Sequence, residues 1–324
     1  MGFKSIVKKT EVGFLRVVLV IGRKLALWGR FILTKLKAHG GKYLKTVVAS
    51  IIVLYVIGAV VFGTRLYKQQ RQEKIDRYAS YIFPFPVAST GRALIFDKEL
   101  QQKVYWAQTF ASKMQMQIPS DLAKRIMDDL IYDSVVMQEA NRMGIAVTKA
   151  DIDKTFDLAA GGIGGEDQAT SFVKANYNMS LRQFKRLLVP KIALEKIRDN
   201  NFAKVKARHF LVKDEKKAQE LQKKIWDGAK FEDIAKDNSE DQSSKDKGGL
   251  LADGEFLFKE TSGLPESIET ALFKLKTGEV SDVIKSDLGY HVLKVDERQG
   301  TIELTMTDWL NDLKKKYPVR IVLK

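Results

Sequence analysis

The sequence predicts an α+β protein with one transmembrane helix near its N-terminus. Three patterns carry this prediction. Residues 44–63 are almost entirely apolar, the middle of the chain repeats its apolar residues at helical spacing, and residues 204–212 alternate in period two. We therefore expect an all-α module in the middle of the chain, followed by a domain with a small antiparallel sheet.

The composition excludes several classes of protein. The 324 residues suffice for about two domains, and a hydrophobic share of 45% makes wholesale disorder improbable. Cysteine is absent, which excludes disulfides, thiolate nucleophiles and cysteine metal sites. Only His39, His209 and His291 could serve metal or triad chemistry, and we expect neither a metal nor a cofactor.

The net charge of +15 is concentrated at the N-terminus, where residues 1–45 hold eleven Lys or Arg and one acidic residue. Five basic residues recur there at intervals of seven, with apolar residues between them: Lys9, Arg16, Arg23, Arg30 and Lys37. This pattern predicts a basic amphipathic helix lying on anionic lipids. A second membrane span and a nucleic-acid contact are the alternatives, and we expect no nucleic-acid partner.

Residues 44–63 are long enough to cross a bilayer, and residues 47–63 carry no charge. A buried core helix and a cleaved signal peptide are the alternatives. The preceding arm is very long for a signal peptide and no A-x-A follows, so we predict an uncleaved anchor. The basic arm places the N-terminus in the cytoplasm and residues 65–324 outside it, in a single-pass cell-membrane protein.

Residues 77–90 contain two prolines and read as an extended segment, after which helical periodicity dominates. Thr148 with Asp151 and Ser180 with Gln183 predict capping boxes at two helix starts. The glycine run at 161–165 lacks a following G-K-[ST], so we predict a loop and not a phosphate site. Pro190 predicts a kink in the last helix.

Two stretches, IMDDLIYDSVVMQEANRMGIAVTKADID and MSLRQFKRLLVPKIALEKI, resemble the N-terminal module of SurA-like periplasmic chaperones and foldases. The resemblance implies that the module binds unfolded client polypeptides on apolar surface. Several methionines could serve that role, although a core position is the favoured interpretation for each of them: Met114, Met116, Met127, Met137 and Met143. In this family the C-terminal segment returns to the helical module, so we expect the final helix and short strand to complete it.

Three ordered blocks within residues 205–295 resemble parvulin-type peptidyl-prolyl isomerases. They are ARHFLV, FEDIAKDNSEDQSSKDKGG and ALFKLKTGEVSDVIKSDLGYHVLKV, and they predict a β-α-α-loop-α-β-β order. The resemblance implies catalytic-site positions at His209, Asp241, Ser286 and His291. It implies a proline-binding pocket at Leu251, Phe256, Leu264, Ile268 and Phe273.

One segment departs from the parvulin pattern. The family usually has G-G-D-L-G-x-F where this chain has GGLLADGEF, so Leu250 stands where an aspartate is expected. The pocket positions often held by Met and Phe are Leu264 and Ile268. Isomerase activity is therefore expected to be weak or absent if this segment matters for catalysis.

We predict five segments: an arm at 1–43, a transmembrane helix at 44–64, a SurA-like module at 65–202, a parvulin domain at 203–298, and a returning helix and strand at 299–324. The leading hypothesis is a membrane-anchored foldase that isomerises X-Pro bonds in secreted or membrane clients. The alternative is a non-catalytic holdase or scaffold with a degenerate parvulin domain. Both predict client polypeptides and membrane lipids as partners.

Overall fold

The computed structural model describes residues 42–69, 74–259 and 261–322. The predicted basic arm lies outside these residues apart from its last two positions, so its amphipathic pattern stays a prediction. The chain divides into two compact units. The first comprises Met1–Arg142, Val147–Lys191 and Lys314–Lys324, and the second comprises Met143–Ala146 and Ile192–Leu313.

The first helix, α1 (Lys42–Gln69), carries the predicted apolar run. Its stretch Val48–Tyr67 is long and apolar enough to cross a membrane, and no other helix in the described part of the chain meets that test. Only a small share of this stretch is buried inside the protein. The single apolar helix that the sequence predicts is therefore present.

The rest of the first unit is mainly helical, as predicted. Its further helices are α2 (Lys74–Ile82), α3 (Asp97–Lys113), α4 (Leu122–Arg142), α5 (Lys149–Gly161), α6 (Glu166–Tyr177), α7 (Leu181–Leu187) and the start of α8 (Val189–Asn201). Both predicted capping boxes form, at Thr148 of α5 and at Ser180 of α7. The helix is interrupted at Leu188, between α7 and α8, and Pro190 follows as the second residue of α8. Proline has no backbone N–H to donate, which accounts for an interruption at this point.

The first unit also contains a three-stranded antiparallel sheet, so the expectation of an all-α module is corrected. Strand β1 (Pro86–Thr90) lies between β2 (Ala93–Phe96) and β7 (Val319–Ile321). In the pairing of β1 with β7, Thr90 lies opposite Val319. Sequence analysis treated this region as an extended segment, because its prolines and the short β2 obscure the alternation of a strand. The segment is also partly helical, since α2 continues to Ile82.

The core of the first unit packs β1 against α3 and α4. It is formed by Val87, Ala88, Ile95, Leu100, Ile126, Met127, Leu130 and Ile131. The methionines divide between the two roles considered above: Met127 is buried, whereas Met114 and Met116 are exposed after the end of α3.

The second unit is an antiparallel sheet with helices on it, in the predicted order apart from one additional short strand, at residues 257–258, before the third helix. Its strands are β3 (Lys204–Val212), β4 (Leu257–Phe258), β5 (Ile284–Ser286) and β6 (Gly289–Gln299), arranged β4-β3-β6-β5. Its helices are α9 (Glu215–Trp226), α10 (Phe231–Asn238), α11 (Glu266–Leu272) and the first part of α12 (Met306–Lys316).

The two central strands, β3 and β6, are buried on both faces. On one face Val205, Ala207 and Leu293 pack with α11. On the other face Phe210 and Val212 pack with α9 and α10. Since side chains alternate along a strand, His209 lies on the same face as Val205 and Ala207.

Candidate active site

The antiparallel register of β3 and β6 brings His209 and His291 together. His209 pairs with Leu293, and His291 pairs with Leu211, so the two histidines are diagonal neighbours on one face of the sheet. Their ring centroids lie 5.7 Å apart with planes inclined by 19°, and their Nδ1 atoms are 3.4 Å apart. Both side chains are buried.

A line of hydrogen bonds runs through the histidine pair. Asp241 Oδ2 lies 2.6 Å from His209 Nε2, and Ser286 Oγ lies 2.7 Å from His291 Nε2. Ser244 joins at the Asp241 end, where its Oγ donates to Asp241 Oδ2 at 2.5 Å and lies 3.0 Å from His209 Nε2. The structure therefore brings together all four residues predicted for the polar site.

Ser244 is the site residue that the sequence analysis missed. It lies in the polar loop after α10, three residues beyond Asp241, and it is buried. The signal was present but ambiguous, because Ser243 stands beside it and bonds the other carboxylate oxygen, Asp241 Oδ1, at 2.8 Å. Only the structure distinguishes the serine that faces His209.

The two ends of the line differ in charge. Burial by itself raises the pKa of Asp241, but hydrogen bonds from Ser244, His209 and Ser243 outweigh it and hold that pKa well below its usual range. The pKa of His291 falls to about 4, chiefly because burial disfavours its charged form and also because His209 lies beside it. At neutral pH the site therefore holds a carboxylate at one end and an uncharged imidazole at the other.

The glycine pair after the polar loop holds the backbone of His209. The amide of His209 donates to the carbonyl of Gly249 at 2.8 Å. A Cβ on Gly249, whose φ is +78°, would lie 2.1 Å from the His209 carbonyl oxygen. Glycine is therefore required there for both conformation and space, whatever residues follow it.

The departure from the parvulin pattern lies directly after this pair. Ala252 and Asp253 have φ values of 47° and 52°, in the left-handed region that favours glycine. Lys247 donates a hydrogen bond to Asp253 across the turn. The segment still returns Leu251 to the sheet, where it is buried against the face that carries the histidines.

Four of the five residues predicted for the proline pocket lie in or against one apolar cluster on that face. Leu251, Ile268 and Phe273 are buried members, and Leu264 packs against them. Leu257 and Leu272, which the sequence analysis did not select, also belong to the cluster.

Phe256 is not part of this cluster, contrary to the prediction. The ammonium groups of Lys204 and Lys206 each lie 4.7 Å from the centre of its ring. The next residue, Leu257, takes the position in the cluster, because neighbouring side chains at a strand point to opposite faces. The alignment from sequence was displaced by the longer GGLLADGEF segment.

A groove of about 620 Å³ lies away from these residues. It is lined by residues of α9, of α10 and of the turn between them, including Trp226 and Lys230, together with Glu279 and Lys294. None of the predicted site residues lines it. The histidine line is thus not the floor of this groove. In residues 42–69, 74–259 and 261–322, no three His, Cys, Asp or Glu side chains are grouped to hold a metal ion.

The small antiparallel sheet, the paired histidines and the Asp–His line define the class of this unit as a parvulin-type rotamase domain. A family model for the PPIC-type PPIASE domain matches residues 203–297, and one for the SurA-like N-terminal domain matches residues 32–198. The chain belongs to the family of proteins with a SurA-like N-terminal domain, and it carries a PPIC-type peptidyl-prolyl isomerase domain.

The curated relatives are foldases. Foldase protein PrsA 2 of Bacillus anthracis is 32% identical over 190 residues, which cover 54% of this chain and 64% of that protein. Foldase protein PrsA of Caldanaerobacter subterraneus is 27% identical over 282 residues, covering 80% of each. Foldase protein PrsA of Bacillus subtilis is 47% identical over 97 residues, 30% of this chain and 32% of that protein.

A crystal structure of the peptidylprolyl isomerase PrsA from Bacillus anthracis is 28% identical in sequence. The match covers 59% of this chain and 86% of that chain, at a TM-score of 0.29. The crystal structure of PrsA from Bacillus subtilis gives 27% identity, 71% and 83% coverage and a TM-score of 0.28. At such TM-scores the solved structures add no support, and the family assignment rests on the sequence matches.

Proposed function

We propose that this chain is a membrane-anchored foldase that acts outside the cytoplasm. Its parvulin-type domain would isomerise X-Pro bonds, and its helical module would hold unfolded client polypeptides. The observation that carries the proposal is the line Ser286–His291–His209–Asp241, which lies on the same sheet face as an apolar cluster. The homology to foldases and the apolar helix α1 agree with it.

This arrangement suits a reaction that needs no nucleophile. Rotation about a peptide bond meets a barrier of about 18–20 kcal/mol, because the planar amide is stabilised by resonance. A catalyst needs only to bind the twisted amide better than the planar one. In this proposal Leu251, Leu264, Ile268 and Phe273 grip the proline ring, and the hydrogen-bonded line fixes the polarity beside the imide.

The first prediction is that the full-length chain accelerates isomerisation of a proline tetrapeptide and that Asp241→Asn slows it. The substitution removes the charge that orients His209. A hydrogen bond to a charged group is worth about 1.5–3 kcal/mol, which corresponds to a loss of about tenfold to a hundredfold in kcat/KM. His209→Ala is expected to lose at least as much.

Asp237→Asn is the matched control, because Asp237 is an exposed carboxylate on α10, four residues before Asp241. Its kcat/KM is expected to equal that of the wild type. Circular dichroism would verify that each variant keeps its fold. A wild-type rate equal to the uncatalysed rate would refute the catalytic proposal.

A non-catalytic holdase is the second candidate. It is favoured by the altered GGLLADGEF segment and by the complete burial of Ile268, which lets that side chain reach a substrate only if the cluster opens. Suppression of client aggregation without any proline catalysis would identify this function.

A further inference from the structure

The chain after α2 returns along the apolar helix α1. The hydroxyl of Tyr55 donates to the carbonyl of Ile82 at 3.3 Å, and the hydroxyl of Tyr67 donates to the carbonyl of Pro86 at 2.8 Å. Residues 82–86 therefore run alongside residues 55–67 in the same direction. Helix α2, which ends at Ile82, has brought the chain back from the far end of α1.

Aromatic packing fixes this return segment against the helix. The ring of Phe83 packs directly against Gly58, so closely that a Cβ on that residue would lie only 2.5 Å from the ring. The same ring stacks on Phe62, with centroids 5.9 Å apart. Phe85 fits in the same way over Gly63. At each of these two glycines, the absence of a side chain leaves room on α1 for a phenylalanine of the return segment.

The contact reaches deep along α1. Tyr55 precedes Tyr67 by twelve residues, which corresponds to about 18 Å along a helix axis. The hydrocarbon core of a bilayer is about 30 Å thick. If Val48–Tyr67 spans the membrane, Tyr55 lies just beyond the midplane, and Ile82, whose carbonyl accepts from the Tyr55 hydroxyl, lies near the middle of the bilayer.

Irregular backbone can enter a membrane only where its polar groups are bonded within the protein. Part of this segment meets that condition. The amides of Phe83, Phe85 and Asp97 donate to the carbonyls of Ala79, Phe83 and Phe85 at 2.8, 2.9 and 2.7 Å. The carbonyls of Ile82 and Pro86 accept the two tyrosine hydroxyls described above.

The outward face of this segment is apolar and aromatic. Ala79 and Phe83 are buried against α1, whereas Tyr78 and Ile82 are 72% and 62% exposed. Tyr81 is also exposed, and the ammonium group of Lys98 lies 4.9 Å from the centre of its ring. The neighbouring helix α1 likewise exposes apolar side chains, among them Leu54 and Ile57. Tyrosine is enriched where a protein crosses the boundary between hydrocarbon and water, because its ring is apolar and its hydroxyl is polar.

We propose that α1 and residues 78–84 enter the bilayer together as a helical hairpin, with Tyr78 and Ile82 in contact with lipid. The partner of this surface is the bilayer itself. The proposal rests on the proposed membrane anchor and extends it: the first unit would be held at the membrane surface by two segments and not by a single flexible stalk.

The chain has no cysteine, so a single introduced cysteine can carry an environment-sensitive fluorophore at one known position. The full-length variants Ile82→Cys and Tyr78→Cys would be labelled and reconstituted into phosphatidylcholine vesicles with nitroxide-labelled lipids. We expect blue-shifted emission and loss of fluorescence at both positions. Quenching should reach deeper nitroxides for Ile82→Cys than for Tyr78→Cys.

Two further positions separate this proposal from the anchor. Leu54 lies beside Tyr55 on α1 and its side chain is 67% exposed, so a label at Leu54→Cys reports on the anchor alone. Leu158→Cys, 74% exposed on α5, is the water-facing control. If the label at Leu54→Cys were quenched while the label at Ile82→Cys stayed as unquenched as that at Leu158→Cys, the hairpin would be overturned and the anchor would remain. If Leu54→Cys also remained unquenched, the anchor itself would be wrong and the hairpin with it.

Discussion

At the scale of single residues, Asp241 sets the direction of each hydrogen bond in the site. The His209 Nε2 atom faces its carboxylate and therefore donates, so in the neutral imidazole the remaining ring nitrogen, His209 Nδ1, is the acceptor. His291 Nδ1 then donates to it, and His291 Nε2 accepts from Ser286 Oγ. One charged residue at the end of the line thus determines the tautomers of two histidines.

This order predicts a dependence of stability on pH. The folded-state pKa of His291 is about 4, below its ordinary value of 6.5. Between these values the unfolded chain binds a proton that the folded chain does not. The free energy of unfolding therefore decreases as the pH is lowered from about 6.5 to about 4, by up to about 3 kcal/mol. Above pH 6.5 this contribution is constant, because the imidazole is neutral in both states.

Urea unfolding at several pH values from about 7 to about 4 would measure this effect. His291→Gln removes the titrating group while keeping a side chain that can bond Ser286. The difference in stability between wild type and variant should shrink as the pH falls across this range. Parallel pH profiles for the two proteins would show that His291 titrates normally.

A second prediction for a single residue concerns the altered turn after the glycine pair. Ala252 is exposed and adopts a left-handed conformation, which costs a residue with a Cβ about 1–2 kcal/mol. Ala252→Gly removes that strain but adds freedom to the unfolded chain, so a net stabilisation of up to about 1 kcal/mol is expected. Ala229→Gly, at an exposed loop alanine without a positive φ, should instead destabilise. Equal losses of stability in both variants would contradict the prediction.

The polar site was more predictable from sequence than the pocket. The resemblance to parvulins implied that His209 and His291 form a pair, because both lie in motifs that match the family closely. Phe256 was assigned to the wrong face because the turn before β4 is longer than in the family pattern. Extra residues in a turn change which face of the sheet each following side chain points to. Ser244 was missed because its orientation depends on how the loop folds over Asp241, which no local pattern encodes.

At the scale of elements, Glu139 of α4 joins the C-terminal segment to the first unit. This buried carboxylate accepts hydrogen bonds from Lys316 and Tyr317 at 2.7 Å each, and pairs with Arg142 at 2.7 Å. Burial alone would raise its pKa, but these three partners lower it to about 2. Strand β7 follows immediately and completes the sheet beside β1.

Tyr317→Phe is expected to loosen this junction. It removes one hydrogen bond to a charged, buried group at a cost of about 1–2 kcal/mol. Hydrogen exchange at the β1 amides should then accelerate about five- to thirtyfold. Tyr132→Phe on the same helix is the control, because the Tyr132 hydroxyl makes no hydrogen bond within the described part of the chain. Unchanged exchange in Tyr317→Phe would mean that β7 is held by its strand pairing alone.

Helices with caps were predictable as elements, whereas the pairing of short strands far apart in sequence was not. The boxes at Thr148 and Ser180 are local and mark their helices directly. The short C-terminal strand and its return to the first unit were expected from the family resemblance, and β7 confirms them, but its pairing with β1 depends on tertiary structure and was not predicted. The order of elements in the second unit was predictable because its three motifs stand close together.

At the scale of the whole molecule, two kinds of surface lie in different units. The hydrogen-bonded histidine line belongs to the second unit. An exposed apolar strip belongs to the first and is formed by Met114, Met116 and Ile118, between α3 and α4. Such a strip, with flexible methionines, is suited to contacts with varied client side chains. If the proposed function is correct, the two activities should therefore be separable.

The combined variant Met114→Ser, Met116→Ser, Ile118→Ser tests this separation in the full-length chain. Because the three side chains are exposed, their loss should leave the fold and the kcat/KM for a proline tetrapeptide unchanged. Suppression of client aggregation should weaken, since the apolar area offered to a client is smaller. His209→Ala should show the opposite pattern, with isomerisation lost and aggregation suppression kept. If the two activities instead fell together in either variant, clients would be held and isomerised at one surface, and Met114, Met116 and Ile118 would have no separate role.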